Sequence, residues 1–407
     1  MIPLADAQAA VLAPVAPLPP TRFALRDAHG LVLAEVVTAG EPVPPFSNTA
    51  VDGYAVRADD TATAPTRLRV VGELPAGAAP TRAVGPGEAI RIMTGAPVPR
   101  GADAVVMVEV TEIEGDVVVV KQAVRSGENV RPAGGDLEAG ARVFGPGTVL
   151  TPAHLGVLAS LDVHEVTCHP RPRVGLLSTG DELVERGPLA PGKIRDSNRP
   201  MLRAVLAEAG CEAVDYGIAR DDEREIESRI ARAVDECDAL LTSGAVSVGD
   251  YDYVKVVLER LAAQRPGSGF TWAQVAIKPA KPLAFGHLGR VPVIGLPGNP
   301  VSSRVSFELF ARPVLRRLAG RVGGEVFPSP VRAVAVSEFP RRRDGKLHLD
   351  RVRVSVRDGR FVCERAGVQA SNVLSGMAAA NGLALLPDGD GAGSGDEVDV
   401  LLLSLPA

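Results

Sequence analysis

Three short turns carry the residues best suited to chemistry: Ser178-Thr179-Gly180-Asp181-Glu182-Leu183, Ser243-Gly244-Ala245-Val246-Ser247-Val248-Gly249-Asp250 and Leu296-Pro297-Gly298-Asn299-Pro300. Glycine lets backbone approach a ligand closely, and small hydroxyls add hydrogen-bond donors. The third turn opens into Val301-Ser302-Ser303, a helix start whose free N–H groups and positive dipole end either favour a phosphate or simply cap the helix. Asp181, Glu182, Asp196, Asp221, Asp222, Asp250 and Asp252 crowd the same kind of loop. Each acid alone reads as a turn or cap residue, but together they repel. Mg²⁺, which takes one or two carboxylates plus phosphate oxygens, would offset that repulsion. The expected ligands are Glu182, Asp222, Asp250 and Asp252, with two or three touching metal. In Lys278-Pro279-Ala280-Lys281-Pro282 two compact cations stand three residues apart on proline-restricted backbone, an arrangement suited to a tetrahedral oxyanion. The apolar flanks Val275 to Ile277 and Leu283 to Phe285 imply partial burial of this segment.

Other patterns carry less. Gly187 to Lys193 has the spacing of a phosphate-binding P-loop, but Ile194 stands where a Mg²⁺-binding hydroxyl is needed, and Pro188 and Pro191 remove amides. An ATPase is rejected. Gly389 to Gly395 has no helix after it, so a dinucleotide fingerprint fails there. His164, Cys168 and His169 lie close in sequence on a strand-then-turn pattern and lack the spacing of a zinc site.

The elements that must position these turns follow from periodicity. Between Arg173 and Gly320 apolar strands alternate with amphipathic helices, the pattern of a mostly parallel, doubly wound sheet. Strands fall at Val174 to Leu177, Ala239 to Leu241 and Val291 to Leu296. Helical stripes are Leu202/Leu206/Ala209, Ile226/Ile230/Val234 and Val254/Leu258/Leu261. In such sheets ligands bind beyond the carboxyl ends of strands, where the three turns lie. Thr179, Gly180, Asp181, Ser243, Gly244, Ser247, Gly249, Asp250, Pro297, Gly298, Asn299, Pro300 and Ser302 are therefore the expected substrate-binding set. A helix from about Val301 toward Leu318 should be kinked by Pro313.

Before this region, Leu68 to Val71, Ala104 to Val108 and Val117 to Val120 read as a small β domain, and Thr151-Pro152 starts a connecting helix. Alternation at Val352, Val354 and Val356 reads as a terminal β domain. The expected division is a discontinuous linker of 1–48 and 138–170, a small β domain of 49–137, an α/β domain of 171–322 and a C-terminal β domain of 323–407.

Composition bounds the partners. At 407 residues several cores are expected, and a net charge of -5 supplies no basic field to hold duplex nucleic acid. Four scattered cysteines without a C-x-x-C pair suit reduced thiols. The apolar segment Ile2 to Pro20 carries Asp6 and five prolines, which fits neither a leader nor a membrane span. A cytoplasmic location is expected.

Taken with Asp52-Gly53-Tyr54-Ala55 and Met93-Thr94-Gly95-Ala96-Pro97, these turns closely resemble, in order and spacing, the molybdopterin molybdenumtransferase family over nearly the whole chain. The resemblance implies an elongated homodimer with a cleft between the α/β domain of one subunit and the small β domain of the other. It implies that adenylylated molybdopterin and molybdate yield the molybdenum-loaded cofactor and AMP, with a divalent metal required. Asp52, Thr94, Asp136 and Glu182 match catalytic positions, and Lys278, Lys281, Pro282, Arg351 and Ser371 match the oxyanion pocket. Molybdopterin adenylyltransferase and molybdoenzymes would be partners before and after the reaction. Ala245 and Ala280 stand where the family has glycine, and each would be strained if its φ were positive. Ala370-Ser371-Asn372 departs from the family's Gly-Ser-His. A noncatalytic scaffold and a molybdopterin adenylyltransferase are the competing readings. Retained acids and lysines weigh against the first, and the long flanking regions against the second.

Overall fold

A computed structural model describes residues 1–244 and 253–406 of the chain, which group into two compact units. One comprises Met1–Phe23, Gly30–Ala34 and Thr167–Ala407; the other comprises Ala24–His29 and Glu35–Val166.

The larger unit contains the alternating pattern expected after Arg173. Its elements are β1 (Arg173–Thr179), α1 (Asn198–Glu208), β2 (Glu212–Ala219), α2 (Glu223–Glu236), β3 (Ala239–Ser243), α3 (Tyr253–Gln264), β4 (Gly269–Gln274), β5 (Pro282–Leu288) and β6 (Val291–Leu296). The sheet order is β2-β1-β3-β6-β5-β4. The first four strands are parallel, and β5 and β4 add an antiparallel edge. Strands β1 and β3 are buried almost throughout because helices cover both faces of the sheet. On one face Leu202 and Leu206 of α1 pack with Val174 and Leu176. On the other Ile226 and Ile230 of α2, with Val254 and Leu258 of α3, pack with Leu177 and Leu240.

After β6 comes α4 (Pro300–Ser306), continued by a π-helical stretch Phe307–Ala311 and a further α-helix Arg312–Leu318. Pro313 cannot donate into the helical ladder, and the widened turn just before it absorbs that mismatch. The N-terminal helix Leu4–Leu12 buries Ala7 and Val11 in the same core, and Gln8 Nε2 donates to the Leu309 carbonyl at 3.1 Å.

Five C-terminal strands close on themselves: β7 (Val331–Ala335), β8 (Leu347–Arg357), β9 (Arg360–Arg365), β10 (Gly382–Leu386) and β11 (Glu397–Leu402). Pairings run β8-β9-β7-β11-β10 and return to β8, a small barrel around Phe339, Val352, Val354 and Val400. The two-residue strand Ile277–Lys278 pairs in parallel with Leu347 and His348 of β8, so Lys278 is fastened to the barrel.

The smaller unit holds a six-stranded sheet ordered Ala104–Met107, Gly53–Val56, Glu88–Ile92, Thr66–Leu74, Val117–Val120, Thr111–Glu114. The Glu114-Gly115-Asp116 turn joins the last two, with Gly115 at φ +67. The helix Pro152–Ser160 starts as expected at Thr151, and His154 Nδ1 accepts from the Thr151 amide at 3.0 Å in the role usually taken by glutamate.

Candidate functional site

The parallel strands bring the expected turns together. Chain order reverses between β1 and β3, and the crevice at their carboxyl ends is a cavity of about 420 Å³ walled by Thr179, Glu182, Asn198, Ser243, Gly244 and Asn299. Gly298 and Pro300 complete that side. Gly244 sits at φ +103, and a Cβ there would lie 2.7 Å from the Thr179 carbonyl, so only glycine lets the two turns meet. Pro297 is buried beneath, and Asp181 is exposed outside. The Asp181 and Asp221 amides each donate to the other's carboxylate at 3.2 Å. Glu182 is exposed, and its carboxylate has no hydrogen-bond or ion-pair partner among the described residues.

Two residues of α1 that sequence reasoning passed over organise this crevice. Asn198, which is 7% exposed, donates through Nδ2 to Ser243 Oγ and to the Gly298 carbonyl, both at 2.8 Å, tying β3 to the turn after β6. Its Oδ1 is buried without a partner. Because the Gly298 carbonyl needs a donor, the amide orientation is fixed. Arg199 bonds Asp215 at 2.8 Å, Glu185 at 2.7 Å and Asp196 at 3.2 Å. Burial works against its charge, but the bonds to Asp215 and Glu185 outweigh it and hold the guanidinium well above its ordinary value. Asp196 accepts from the Asn198 and Arg199 amides at 3.1 Å and is thereby a structural residue at the start of α1.

Beside the crevice lies a second cavity of about 540 Å³, walled by Lys278, Lys281, Pro282, Ser302, Ser371 and Lys346 among others. The helix start of α4 separates the two, with Pro300 facing one and Ser302 the other. Its anion-binding potential is partly engaged: Pro300 has no N–H, and the Val301 amide donates to the Ser371 carbonyl at 3.2 Å. Lys278 and Lys281 are exposed rather than half-buried. The flanking Val275, Ile277 and Leu283 are buried while Lys278, next to Ile277 in the short strand, turns outward, and neither ammonium has an ion-pair partner among the described residues. Ala280 lies at φ +70, the left-handed conformation that glycine adopts without strain.

Arg351 departs from its expected place as an oxyanion ligand. It is 1% exposed and lies behind the cavity wall, donating to the carbonyls of Ala370 at 3.0 Å, Val373 at 3.2 Å and Val368. Burial lowers its pKa. Its donors therefore shape the loop that presents Ser371.

In the smaller unit, Gly53 pairs with Ile92, so Asp52 and Thr94 come together just beyond the ends of adjacent strands. Asp52 Oδ1 accepts from both the Thr94 hydroxyl and amide at 2.7 Å, and those bonds, the hydroxyl first, hold its carboxyl below the ordinary value. A Cβ on Gly53 would lie 1.9 Å from the Val106 carbonyl, which accounts for the glycine. Asp136 sits on a separate exposed turn, fixed by its amide to the Val43 carbonyl at 2.9 Å, and makes no hydrogen bond with Asp52 or Thr94.

Ala245, Ser247, Gly249, Asp250 and Asp252 lie outside the described residues. Of the other expected metal ligands, Asp222 caps α2, accepting the Glu225 amide at 2.8 Å, while the Glu182 carboxylate has no partner among the described residues. Among the described residues no three His, Cys, Asp or Glu side chains are grouped to hold a metal. Nor is any of their helices long and apolar enough to cross a membrane. Gly187 to Lys193 is an exposed turn followed by the short strand Ile194–Arg195. His169 Nδ1 lies 2.6 Å from the Leu18 carbonyl, and His164 lies 2.9 Å from Asp162, which are structural uses.

Family models match nearly all of the chain: a MoeA N-terminal region (domain I and II) over residues 2–161, a probable molybdopterin binding domain over 175–317 and a MoeA C-terminal region (domain IV) over 336–403. The chain is 39% identical to molybdopterin molybdenumtransferase 2 of Mycobacterium tuberculosis, covering 91% of each sequence. It is 38% identical to the molybdopterin molybdenumtransferase of Haemophilus influenzae, over 88% of this chain and 87% of that one. Among solved structures it is similar to a molybdopterin biosynthesis moeA protein from Pyrococcus horikoshii OT3, with a TM-score of 0.82 and 30% identity, covering 99% of this chain and all of that one.

Proposed function

Because this chain belongs to the molybdopterin molybdenumtransferase family, we propose that it inserts molybdenum from molybdate into adenylylated molybdopterin, releasing AMP in a Mg²⁺-dependent step. The observation that carries this reading is the placement, in one compact unit, of a carboxylate-bearing crevice and a two-lysine cavity on either side of the α4 start. A ligand laid across Pro300 to Ser302 would meet Glu182 at one end and Lys278 and Lys281 at the other.

The chemistry is positioning and electrostatics. Molybdate is a dianion and the phosphoanhydride is also anionic, so bringing them together costs Coulomb energy that the exposed ammoniums of Lys278 and Lys281 offset. The Ser371 hydroxyl adds a donor to the oxyanion, and Arg351 holds the loop that presents it. Thr179, Ser243 and Asn299 line the crevice for the pterin and its phosphates, with Asn198 holding two of the three turns in register. Glu182 fits a hard cation that takes its remaining ligands from water and substrate oxygens, and Mg²⁺ bound there would neutralise charge on the anhydride. Nothing in this scheme requires a covalent nucleophile.

The same reading makes the protein a cytoplasmic homodimer that receives its substrate from an adenylyltransferase and hands its product to molybdoenzymes. The test is to mix purified protein with adenylylated molybdopterin, molybdate and Mg²⁺ and measure AMP. Release is expected, together with its loss in Glu182→Gln and Lys278→Ala at unchanged melting temperature. Normal turnover in either variant refutes the site. In a parallel reaction supplied with molybdopterin and ATP, ATP consumption without AMP release in the first would assign the protein as an adenylyltransferase, and neither activity would leave a scaffold.

A further inference from the structure

The barrel contributes a third cavity, of about 680 Å³, which the scheme above does not use. Four cationic side chains line it, Lys278, Arg342, Arg343 and Arg365, against two carboxylates, Asp344 and Asp350, and the backbone of Arg341 completes that wall. Both carboxylates are already neutralised. Asp344 bonds Lys346 at 2.9 Å and lies 3.1 Å from His348 Nε2, and Asp350 meets Arg365 at 3.1 Å. Arg343 is paired with Asp390 at 2.8 Å. Lys278 and Arg342 have no partner among the described residues, so the surplus positive charge of the cleft resides on them.

The loop bearing Arg342 is anchored. The Arg341 side chain is fully buried and donates to the carbonyls of Leu386, Pro387 and Lys346 and to the Asp388 carboxylate at 2.7 Å. Its Nε is buried with no acceptor. An anchored loop leaves little backbone ordering to be lost when Arg342 meets an anion. The volume falls within the range of small-molecule sites, and a bare oxyanion would leave most of it empty. Among the described residues no Phe, Tyr or Trp lines the cleft, so recognition rests on charge rather than on stacking a base.

We propose that this cleft binds a phosphorylated small molecule, with Lys278 and Arg342 holding the phosphate. Lys278 also walls the oxyanion cavity, so an anion in one cavity competes for the counter-charge of the other. The cleft is in this way placed to report the level of a phosphorylated compound to the neighbouring site. The binding claim stands whether or not that neighbouring site takes molybdate.

The probe is ribose 5-phosphate, titrated calorimetrically into the full-length protein without substrate, with ribose as the phosphate-free control. Saturable binding of the phosphate and none of ribose are expected. Arg342→Ala should weaken binding about tenfold or more, the loss of one charge-assisted contact, and Arg342→Lys should recover most of it. Arg342 is exposed and has no partner among the described residues, so both variants should melt with the wild type. Lys281→Ala, whose side chain lines only the other cavity, should bind normally. Absence of saturable binding overturns the proposal, as does binding that ignores Arg342→Ala. Equal weakening by Lys281→Ala would also overturn it, by locating the ligand in the oxyanion cavity.

Discussion

Gly180→Ala tests the role of Glu182 without touching its carboxylate. Gly180 sits at φ +140, and a Cβ built there lies 2.4 Å from Glu182 Oε2, where ordinary contact begins at about 3.4 Å. The carboxylate ends a flexible chain, so it gives way before the backbone does, moving by roughly 1 Å, the difference between those two distances. Two effects follow. Backbone strain should lower stability by about 1–3 kcal/mol, a few degrees in melting temperature. A reacting group displaced by about 1 Å should cost roughly a hundredfold in turnover. AMP release under single-turnover conditions, beside a thermal melt, separates the two. Glu182→Asp shortens the acid by one methylene and removes the overlap. If displacement is the cause, Gly180→Ala should then cost much less activity in the Glu182→Asp background than in the wild type, a coupling that a double-mutant cycle measures directly. Wild-type turnover in Gly180→Ala, with only the melting temperature lowered, would refute the claim that this carboxylate must be held in place.

Three further outcomes are expected. In Thr94→Val the carboxyl of Asp52 loses its hydroxyl donor and should titrate closer to the ordinary 3.8. A depressed carboxyl stabilises above its unfolded pKa and loses that contribution as pH falls through the folded value, so the variant should lose stability mainly above about pH 4. Carboxyl chemical shifts followed against pH check this, and an unmoved titration contradicts it. Ala280→Gly relieves about 1–2 kcal/mol of left-handed strain but gives up roughly 0.8 kcal/mol of methyl burial and about 0.4–1 kcal/mol of unfolded-state entropy, so denaturant unfolding should place it within about 1 kcal/mol of the wild type. Ala280→Val, branched at that φ and overpacked in a buried position, should lose about 2 kcal/mol or more. Asp344 is held at about 2, by Lys346 first and then by His348. Its contribution is full above about pH 4 and fades as pH falls through about 2, so Asp344→Asn should melt below the wild type at neutral pH and converge with it on acidification.

What could be read from sequence depended on where the signal resides. The three stripes Leu202/Leu206, Ile226/Ile230 and Val254/Leu258 are local and periodic, and with the strands between them they determine the mostly parallel sheet and the end of it where turns gather. The same period explains one misjudgement. Apolar neighbours suggest that Lys278 and Lys281 are partly buried, yet both are exposed, Lys278 because in extended backbone Val275 and Ile277 turn inward and the next residue turns out. The antiparallel edge formed by β4 and β5 escapes sequence reading for a different reason: β4 has no fully buried residue, so it carries no apolar run or alternation to mark it as a strand.

Residues that position others left no local trace. Asn198 joins Ser243, 45 residues away, to Gly298, 100 residues away, and no spacing rule connects three such points until the sheet order is known. Arg199 likewise gathers Glu185, Asp196 and Asp215 only because α1 returns over β1 to β2. Arg351 shows the converse. Its place in the resemblance suggested a ligand, but burial with carbonyl partners makes it the support for the Ser371 loop, and its charge reaches the cavity only through that loop's position. Groups that meet an anion need free donors and access, as Lys278 and Lys281 have; groups that define the shape of the site need their donors engaged. A cation's type in sequence does not distinguish these two conditions, and only its partners in the fold do.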